Sequence, residues 1–451
     1  MKHDVFEKYP VPKAVMTLGL PMVLSMLVTI FYNMADTFFV GQTGDANQVA
    51  AVSLTTPVFM LLMAVGNIFG MGGSALISRL LGEKKAEKIK YVSSFCFYAG
   101  IIAGLFMMLL FLAGMPAVLK LIGCSANTRG FAEEYLRYIA FGAVFVVVAT
   151  AFNNVVRGEG AAKTAMIGMM LGTIVNLILD PVMILGMNMG VAGAALATVL
   201  GNVATVVYYI CYFYRGKTGL SILPKYFKAG DRILTCVFAT GIPVSVNNVL
   251  MSSANIILNN FLAKYGDAQV AAMGVAMKVN MLVILVQIGL SSGVMPLVGY
   301  CYGAGNLSRM KKTMKFTALC NVIMGSVITV VYFIFTEPII HAFIDNQAVI
   351  GYGIDMLRAL MISGPFIGIM FAINFSIQSM GKALPSLILA LSRQGLAFLP
   401  ILIVADRFIG LDGIIFAQPL ADLVSMVMAL IIIRVILHNL DKKHDRQVQA
   451  S

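Results

Sequence analysis

Two acidic residues lie in otherwise apolar stretches of the chain, where an ionisable carboxyl group is unusual. One is Asp36, near the end of the run Tyr32 to Gly41; the other is Asp180. An Asp deep in a membrane helix costs about 2.5 to 3.5 kcal/mol on insertion scales, so its default interpretation is a functional group facing protein or water. The alternative is an Asp that caps the helix at the membrane interface. The apolar residues after Asp36, 37 to 40, favour the functional interpretation.

Other polar residues share a helix face or a depth with these two acids. Asn176 and Asp180 are four residues apart and Asn33 and Asp36 three apart, so each pair lies on one helix face. Counted from the external ends of their spans, Asp36, Asp180 and Thr198 lie about five to seven residues deep, only a few ångström apart in level. We therefore expect two acids, two amides and a hydroxyl to converge.

Such a cluster suits a small hard cation. Two carboxylates in a dehydrated pocket cannot both ionise cheaply, and a proton or Na⁺ resolves the conflict. Oxygen ligands from Asp, Asn and Thr favour a hard cation over a transition metal, which prefers His or Cys. We predict H⁺ or Na⁺ as the coupling ion, with no cofactor and no other metal. The four histidines, at positions 3, 341, 438 and 444, have no metal-binding spacing.

The composition indicates an integral membrane protein. The chain has 451 residues, of which 59% are hydrophobic and only 12% charged, with a mean hydropathy of +0.90. Apolar segments long enough to cross a bilayer core, about 20 residues, recur twelve times. They lie at roughly 14–41, 50–78, 91–115, 131–154, 163–187, 191–214, 233–262, 270–301, 313–335, 353–378, 384–405 and 413–437.

The basic residues predict the orientation of the chain. If the N-terminus is cytoplasmic, the cytoplasmic connectors carry 24 of the 32 Lys and Arg residues and the external connectors carry 6. This asymmetry predicts a multi-pass protein with both termini in the cytoplasm. The net charge of +12 is thereby explained without a nucleic-acid partner. Residues 216–218 resemble the end of a phosphate-binding loop, but no preceding strand or glycine supports nucleotide binding.

The two halves of the chain resemble each other at an offset of about 221 residues. Examples are Gly82 with Gly303 and Asn153 with Asn374. The predicted fold class is an all-α membrane protein, with 12 transmembrane helices in two six-helix lobes related by a pseudo-two-fold axis along the membrane normal. The predicted parts are an N-lobe (1–214), a cytoplasmic connector (215–232), a C-lobe (233–437) and a cytoplasmic tail (438–451). Asp36 and Asp180 have no acidic counterpart in the second half.

Three features resemble the multidrug and toxic compound extrusion (MATE) family. They are the Asn-x-x-Asp-x-x-x-x-Gly run of the first span, the Asn-x-x-x-Asp-Pro of the fifth and the doubled six-helix plan. The connector Gly82-Glu83-Lys84-Lys85 is similar to that of MepA-type bacterial exporters. The resemblance covers nearly the whole chain. Some family members place further acidic ligands in the seventh and tenth spans; here residues 233–262 and 356–378 contain no acid.

The resemblance implies a secondary active efflux transporter of the bacterial cell membrane. It would export cationic amphiphilic drugs in exchange for H⁺ or Na⁺ by alternating access, as a monomer and not as an enzyme. The cation site implied comprises Asp36, Asn176, Asp180 and Thr198, with Asn33 as a neighbour. The alternative is a flippase for a lipid-linked glycan, which needs intramembrane positive charge to hold a pyrophosphate.

The remaining polar residues inside spans are candidates for lining a cavity. They are Asn153, Asn255, Lys278, Gln287, Asn374, Gln378 and Arg393. For Lys278, Arg393 and Asp422, two interpretations stay open: they line the cavity or form an ion pair, or they balance one another structurally or snorkel. For the amides, hydrogen bonding between helices explains their presence as well as cavity lining does.

Overall fold

All regular structure is helical in the computed structural model, which describes residues 4–216, 218–228, 230, 232–343 and 347–449. The side chains at 33, 37, 46, 347, 348, 443, 444 and 446–449 lie outside the described part. The helices are α1 (Asp4–Glu7), α2 (Val11–Gly41), α3 (Ala46–Gly82), α4 (Ala86–Ala113), α5 (Met115–Leu121), α6 (Arg129–Phe141), α7 (Ala143–Gly158), α8 (Ala162–Pro181), α9 (Gly190–Tyr214), α10 (Ile233–Leu262), α11 (Asp267–Gly303), α12 (Leu307–Ile334), α13 (Thr336–His341), α14 (Gln347–Ile362), α15 (Gly364–Ser379), α16 (Ala383–Leu391), α17 (Phe398–Phe408) and α18 (Leu411–Gln449).

The number of spans agrees with the predicted fold class. Within the described residues, ten helices are long and apolar enough to cross a membrane. Two further pairs of helices pass the same test together, which gives up to twelve spans. The prediction of an all-α membrane protein is therefore confirmed.

Two of the predicted spans are broken rather than straight. Helices α6 and α7 meet at Gly142 with a bend of 57°, and α14 and α15 meet at Ser363 with a bend of 45°. A β-carbon on Gly142 would lie 2.2 Å from a methyl group of Val199, so the chain bends where α9 comes close. Pro365, in the first turn of α15, has no N–H to continue a helix from α14.

A wide helical turn ends the fifth span of the first half, after α8, and another lies within the fifth span of the second half, between α16 and α17. Residues Val182–Gly186 and Ser392–Leu396 form π-helical turns, in which the N–H groups of Met187 and Ala397 donate across five residues at 2.8 Å. Such turns are rare and occur often at functional sites. The first follows directly after the Asp180-Pro181 pair.

The chain divides into two compact units. Unit 1 comprises Met1–Glu7 and Leu24–Ser245, and unit 2 comprises Lys8–Val23 and Val246–Ser451. The divisions fall inside α2 and α10. The first part of α2 belongs to unit 2 and its remainder to unit 1, whereas the first part of α10 belongs to unit 1 and its remainder to unit 2. The units otherwise follow the predicted lobes, whose boundaries remain a prediction.

Glycines let these opening segments pack closely. In unit 1, a β-carbon on Gly241 of α10 would lie 2.0 Å from the carbonyl oxygen of Ile68 in α3. In unit 2, a β-carbon on Gly293 of α11 would lie 2.7 Å from the carbonyl oxygen of Leu18 in α2. Close backbone approach is the usual way for helices to associate in lipid, where apolar burial gives no drive.

The connector and the tail, which lie outside the spans, are each attached to one of the two units. The connector lies in unit 1 and contains one short 3₁₀ turn, Pro224–Tyr226. The predicted tail is helical as far as Gln449, as an extension of α18. Lys311 forms an ion pair with Asp441 at 2.7 Å, which connects this extension to α12.

Candidate cation site

Asp180 is the most deeply buried member of the predicted cluster. Its side chain has no solvent-exposed area, while Asn176 is 3% and Thr198 is 6% exposed. The last turns of α8 place Asp180 and Asn176 on one face, and α9 brings Thr198 against that face. Helices α8 and α9 approach closely because Gly201 has no side chain: a β-carbon there would lie 3.2 Å from the β-carbon of Asn176.

A chain of hydrogen bonds joins three helices at this point. The Asn176 Nδ2 donates to Asp180 Oδ1 at 3.4 Å and to Thr198 Oγ1 at 3.3 Å. The hydroxyl groups of Thr198 and Tyr32 lie 3.3 Å apart, and either can be the donor. Helices α2, α8 and α9 are thus connected through the side chains of Tyr32, Asn176 and Thr198.

The cluster contains more acceptors than donors. The Asp180 Oδ2, Asn176 Oδ1 and Asp36 Oδ1 atoms are buried and have no hydrogen-bond partner among the described residues. All three are oxygen atoms that accept and do not donate when the acids are ionised. A buried acceptor without a partner costs about 1 to 3 kcal/mol, and more when it is charged. A proton or a small cation is the kind of partner that would satisfy them.

Asp36 joins this cluster from α2. Its side chain is half-buried, and its carboxyl group interacts electrostatically with that of Asp180. No basic residue among the described part of the chain forms an ion pair with either acid. When ionised, the two carboxylates therefore have no counter-charge among the described residues. The predicted neighbour Asn33 lies in α2, but its side chain is outside the described part.

Two tyrosines at the site were not predicted. Tyr32 contacts Thr198, and buried Tyr135 of α6 lies within electrostatic range of both Asp36 and Asp180. Tyr32 precedes Asp36 by four residues, so the same spacing rule that paired Asn176 with Asp180 would have identified it. Tyr135 has no such signal, since its proximity depends on how α6 packs.

Outside the cluster, Asn153 of unit 1 serves as a link between helices. Its Nδ2 donates to the Ala165 carbonyl at 3.2 Å and to the Tyr209 hydroxyl at 3.1 Å. The Tyr209 hydroxyl in turn donates to the same Ala165 carbonyl at 3.0 Å. This geometry joins α7, α8 and α9, and the proposed role of Asn153 in cavity lining stays a prediction.

The candidates in unit 2 separate into buried and accessible groups. Gln287, Asn374, Gln378 and Arg393 are all buried, whereas Asn255 is half-buried and Lys278 is exposed. These positions do not test whether any of them lines a cavity. Gln287 Nε2 donates to the Gly364 carbonyl at 2.7 Å, beside the break between α14 and α15.

Arg393 and Asp422 form an ion pair, which is compatible with both interpretations of these charges. The Arg393 Nε lies 2.8 Å from Asp422 Oδ1, and Gln418 Nε2 donates to the same oxygen at 2.9 Å. Arg393 also lies over the ring of Phe371, at 5.3 Å from its centroid. Lys278 takes no part in this cluster.

The comparison with protein families decides the classification. The model of the MatE family matches this chain twice, over residues 21–182 and 243–403. The chain belongs to the MATE family. The two matches begin 222 residues apart and end 221 apart, which agrees with the internal repeat read from the sequence.

Known MATE relatives cover nearly the whole chain. The multidrug export protein MepA of Staphylococcus saprophyticus is 33% identical over 428 residues, 95% of this chain and 94% of that protein. MepA of Staphylococcus aureus strain MRSA252 gives the same values. Among solved structures, a MATE protein in complex with MaL6 has a TM-score of 0.93 at 25% identity, covering 97% of this chain and 99% of the other.

A second solved structure supports the same classification. An outward-facing multidrug resistance MATE transporter of the MOP superfamily has a TM-score of 0.92 at 25% identity, over 97% of this chain and 98% of that one. The chain is therefore a MATE-family multidrug efflux transporter of the membrane. The predicted family and fold are confirmed, and the roles of the site residues stay predictions.

Proposed function

We propose that this MATE protein is a secondary active exporter of cationic amphiphilic compounds that works in exchange for H⁺ or Na⁺. The observation that carries the proposal is the set of buried oxygen atoms without partners on Asp36, Asn176 and Asp180. What these oxygen atoms lack is a proton or a cation as a partner. An ion that binds and is released during the transport cycle would fill this role reversibly, and reversible binding is what coupling requires.

The coupling follows from a difference in affinity. An ion shifts a conformational equilibrium only by as much as its affinity differs between the two states. A tenfold difference corresponds to about 1.4 kcal/mol. Since Asp36 lies on α2, Asp180 on α8 and Thr198 on α9, a bound ion stabilises whichever arrangement brings these three helices together. The rival arrangement releases it.

The substrate class rests on the relatives. The curated relatives are named multidrug export proteins. Export of a drug against its concentration gradient requires an energy source such as an ion gradient. The carboxylates without counter-charges in unit 1 favour cations over anions as partners. The predicted role is that of a transporter rather than an enzyme, with no cofactor.

A flippase for a lipid-linked glycan is less well supported by the charges of unit 2. Such a protein would need free positive charge within its spans to hold a pyrophosphate. Arg393 is already paired with Asp422 and bonded in a buried cluster. Of the two basic residues that the sequence places inside spans, this leaves one side chain, Lys278, which is exposed on α11.

Transport assays in proteoliposomes test the proposal. A pH gradient and a Na⁺ gradient are imposed separately while uptake of a fluorescent cationic drug is followed. We expect one gradient to drive transport and both Asp36→Asn and Asp180→Asn to abolish the dependence on it. Asp45→Asn is the matched control, because Asp45 caps α3 by accepting from the Asn47 N–H at 2.8 Å and Asn caps equally well. Gradient-driven export unchanged in both site variants would refute the assigned roles.

We further propose a location in the bacterial cell membrane, with both termini cytoplasmic and the protein functional as a monomer. The support for the orientation is the distribution of Lys and Arg between connectors, 24 against 6. Protease cleavage of terminal tags in intact cells and in inverted vesicles tests the orientation. Cleavage of either tag in intact cells would contradict it.

A further inference from the structure

The connector between the two halves has an unusual arrangement of hydrogen bonds. Three consecutive carbonyl groups of its extended chain accept from side chains of α4, a helix more than a hundred residues away in sequence. The pairs are Ser93 Oγ to the Ser221 carbonyl at 2.9 Å, Tyr98 hydroxyl to the Ile222 carbonyl at 3.0 Å and Ser94 Oγ to the Leu223 carbonyl at 3.0 Å. The Ser221 N–H also donates to Ser93 Oγ at 2.9 Å.

This arrangement suits a place with little water. An extended chain in water has its carbonyl groups hydrated and does not need side-chain donors, whereas backbone at membrane depth must be satisfied by protein. Helix α4 has 28 residues, about 42 Å in length, whereas a bilayer core is about 30 Å thick. Ser93 lies about 10 Å from the start of α4 and Tyr98 about 18 Å. With α4 centred on a bilayer core of that thickness, the connector lies along α4 near the level where the hydrocarbon core begins.

The apolar side chains of the connector point in two directions. Leu220 and Ile222 are buried against unit 1, at 5% and 8% exposed, and belong to its core. Leu223 and Phe227 are instead 41% and 42% exposed. Phe227 also packs against Phe95 and Tyr98 of α4. One apolar face therefore holds the connector to the protein and a second is left uncovered.

Lysines and a tyrosine border this uncovered face. The Lys225 Nζ lies 5.0 Å and the Lys90 Nζ lies 5.6 Å from the centroid of the Tyr226 ring, and exposed Lys228 follows Phe227. Aromatic rings with lysines beside an apolar surface are typical of the membrane interface. Lys90 forms an ion pair with Glu87 at 3.1 Å. The charge of Lys225 and Lys228 is complementary to an anionic phospholipid head group.

We propose that residues 218–228 form an interfacial strap, which inserts Leu223 and Phe227 into one leaflet and binds the head group of an anionic phospholipid through Lys225 and Lys228. The partner is the lipid surface itself, in the leaflet on the side of the predicted cytoplasmic connectors. The strap then fixes the segment that joins the two halves of the chain to the membrane. This inference does not depend on which ion or drug is transported.

Fluorescence quenching tests the strap directly, because the chain contains no Trp. Phe227→Trp and Leu223→Trp each introduce a single Trp on the uncovered face. The purified variants are reconstituted into vesicles with brominated phosphatidylcholine or brominated phosphatidylglycerol, whose bromine atoms quench only a Trp in contact with lipid. Elution as a single species in gel filtration shows that each variant is folded.

We expect quenching by both lipids and a preference for phosphatidylglycerol over phosphatidylcholine. Each of Lys225→Gln and Lys228→Gln should lower this preference about fivefold, because one lysine near an anionic surface changes the affinity by roughly that factor. The matched control is Lys312→Gln with Lys315→Gln, two exposed lysines of α12 in unit 2. In the Phe227→Trp background this control removes the same kind of charge and should leave the lipid preference unchanged.

Two results would overturn the proposal. Absence of quenching at both positions would place the strap in water. Equal quenching by the two lipids, or a preference that survives loss of both lysines, would show lipid contact without head-group binding. Neither readout involves drug export, so failure here is distinguishable from failure of the proposed transport function.

Discussion

The Arg393 guanidinium and the Asp422 carboxylate form an ion pair of 2.8 Å that is buried between a π-helical turn and α18. The repeat offset of about 221 residues places Gly172 and Gly201 at the equivalent positions of unit 1. There the two helices touch through backbone instead: a β-carbon on Gly172 would lie 2.7 Å from the Gly201 carbonyl oxygen. The equivalent contact is thus made by charge in unit 2 and by glycine in unit 1.

The two halves also differ in whether their buried acid has a counter-charge. The buried acid of unit 2 has a permanent partner in Arg393. Asp180 of unit 1 has an Asn176 amide at 3.4 Å and no ion pair among the described residues. The proposed exchangeable ion would therefore act in unit 1, the half that carries Asp36 and Asp180.

Removing one partner of the Arg393 and Asp422 pair should destabilise the protein more than removing both. A buried charge left alone costs about 3 to 5 kcal/mol, whereas apolar replacement of a whole pair is often neutral. We expect Arg393→Met and Asp422→Leu each to lower the unfolding temperature in detergent, and the double variant to recover part of the loss. A double variant that loses the sum of both single effects would contradict this account.

Thr198 offers a graded test of the cation site. Its hydroxyl contacts both Asn176 and Tyr32 at 3.3 Å, so Thr198→Val removes two hydrogen bonds and leaves the shape nearly unchanged. With about 1 kcal/mol per hydrogen bond, the concentration of coupling ion at half-maximal export should rise roughly five- to thirtyfold. Thr198→Ser retains the hydroxyl and should behave like the parent protein. Equal behaviour of the Val and Ser variants would exclude a role for the hydroxyl.

Gly241 should tolerate no side chain. A β-carbon there would lie 2.0 Å from the Ile68 carbonyl oxygen, which is backbone and cannot move alone. Gly241→Ala should therefore push the first part of α10 away from α3 and destabilise unit 1 by about 1 to 3 kcal/mol. Gly274→Ala is the control, because nothing lies within 4 Å of a β-carbon there and Ala favours a helix. Thermal unfolding in detergent compares the two, and equal midpoints would disprove the close contact.

The sequence was sufficient to predict the elements that depend on local patterns. Apolar length placed the spans, and the constant offset predicted the doubled plan that the two family matches confirm. The i, i+4 spacing placed Asn176 and Asp180 on one face, where they hydrogen-bond. The spans and the shared face follow from helix geometry, which is the same in every sequence. The doubled plan follows from the similarity of the two halves of the chain.

Features that depend on packing between distant segments could not be predicted in this way. The bend at Gly142 reflects the approach of Val199, and the assignment of the first part of α10 to unit 1 reflects its contact with Ile68. Tyr135 comes within electrostatic range of the acidic pair through the packing of α6 against α3 and α9. Each of these features depends on packing between segments that are distant along the chain, and such packing leaves no local pattern in the sequence.

Glu159 should act as the anchor at the start of the connector. Its carboxylate, 4% exposed, accepts from the Tyr212 hydroxyl, from Thr218 Oγ1 at 2.7 Å and from the Gly219 N–H at 3.3 Å. Glu159→Gln turns one acceptor into an N–H₂ group that faces donors, which should cost about 1 to 3 kcal/mol. We expect faster proteolytic cleavage within residues 215–232 in detergent. Glu83→Gln, at an exposed pair with Lys85, should leave the cleavage rate unchanged because surface pairs contribute little. Equal rates in both variants would show that the connector is held by other contacts.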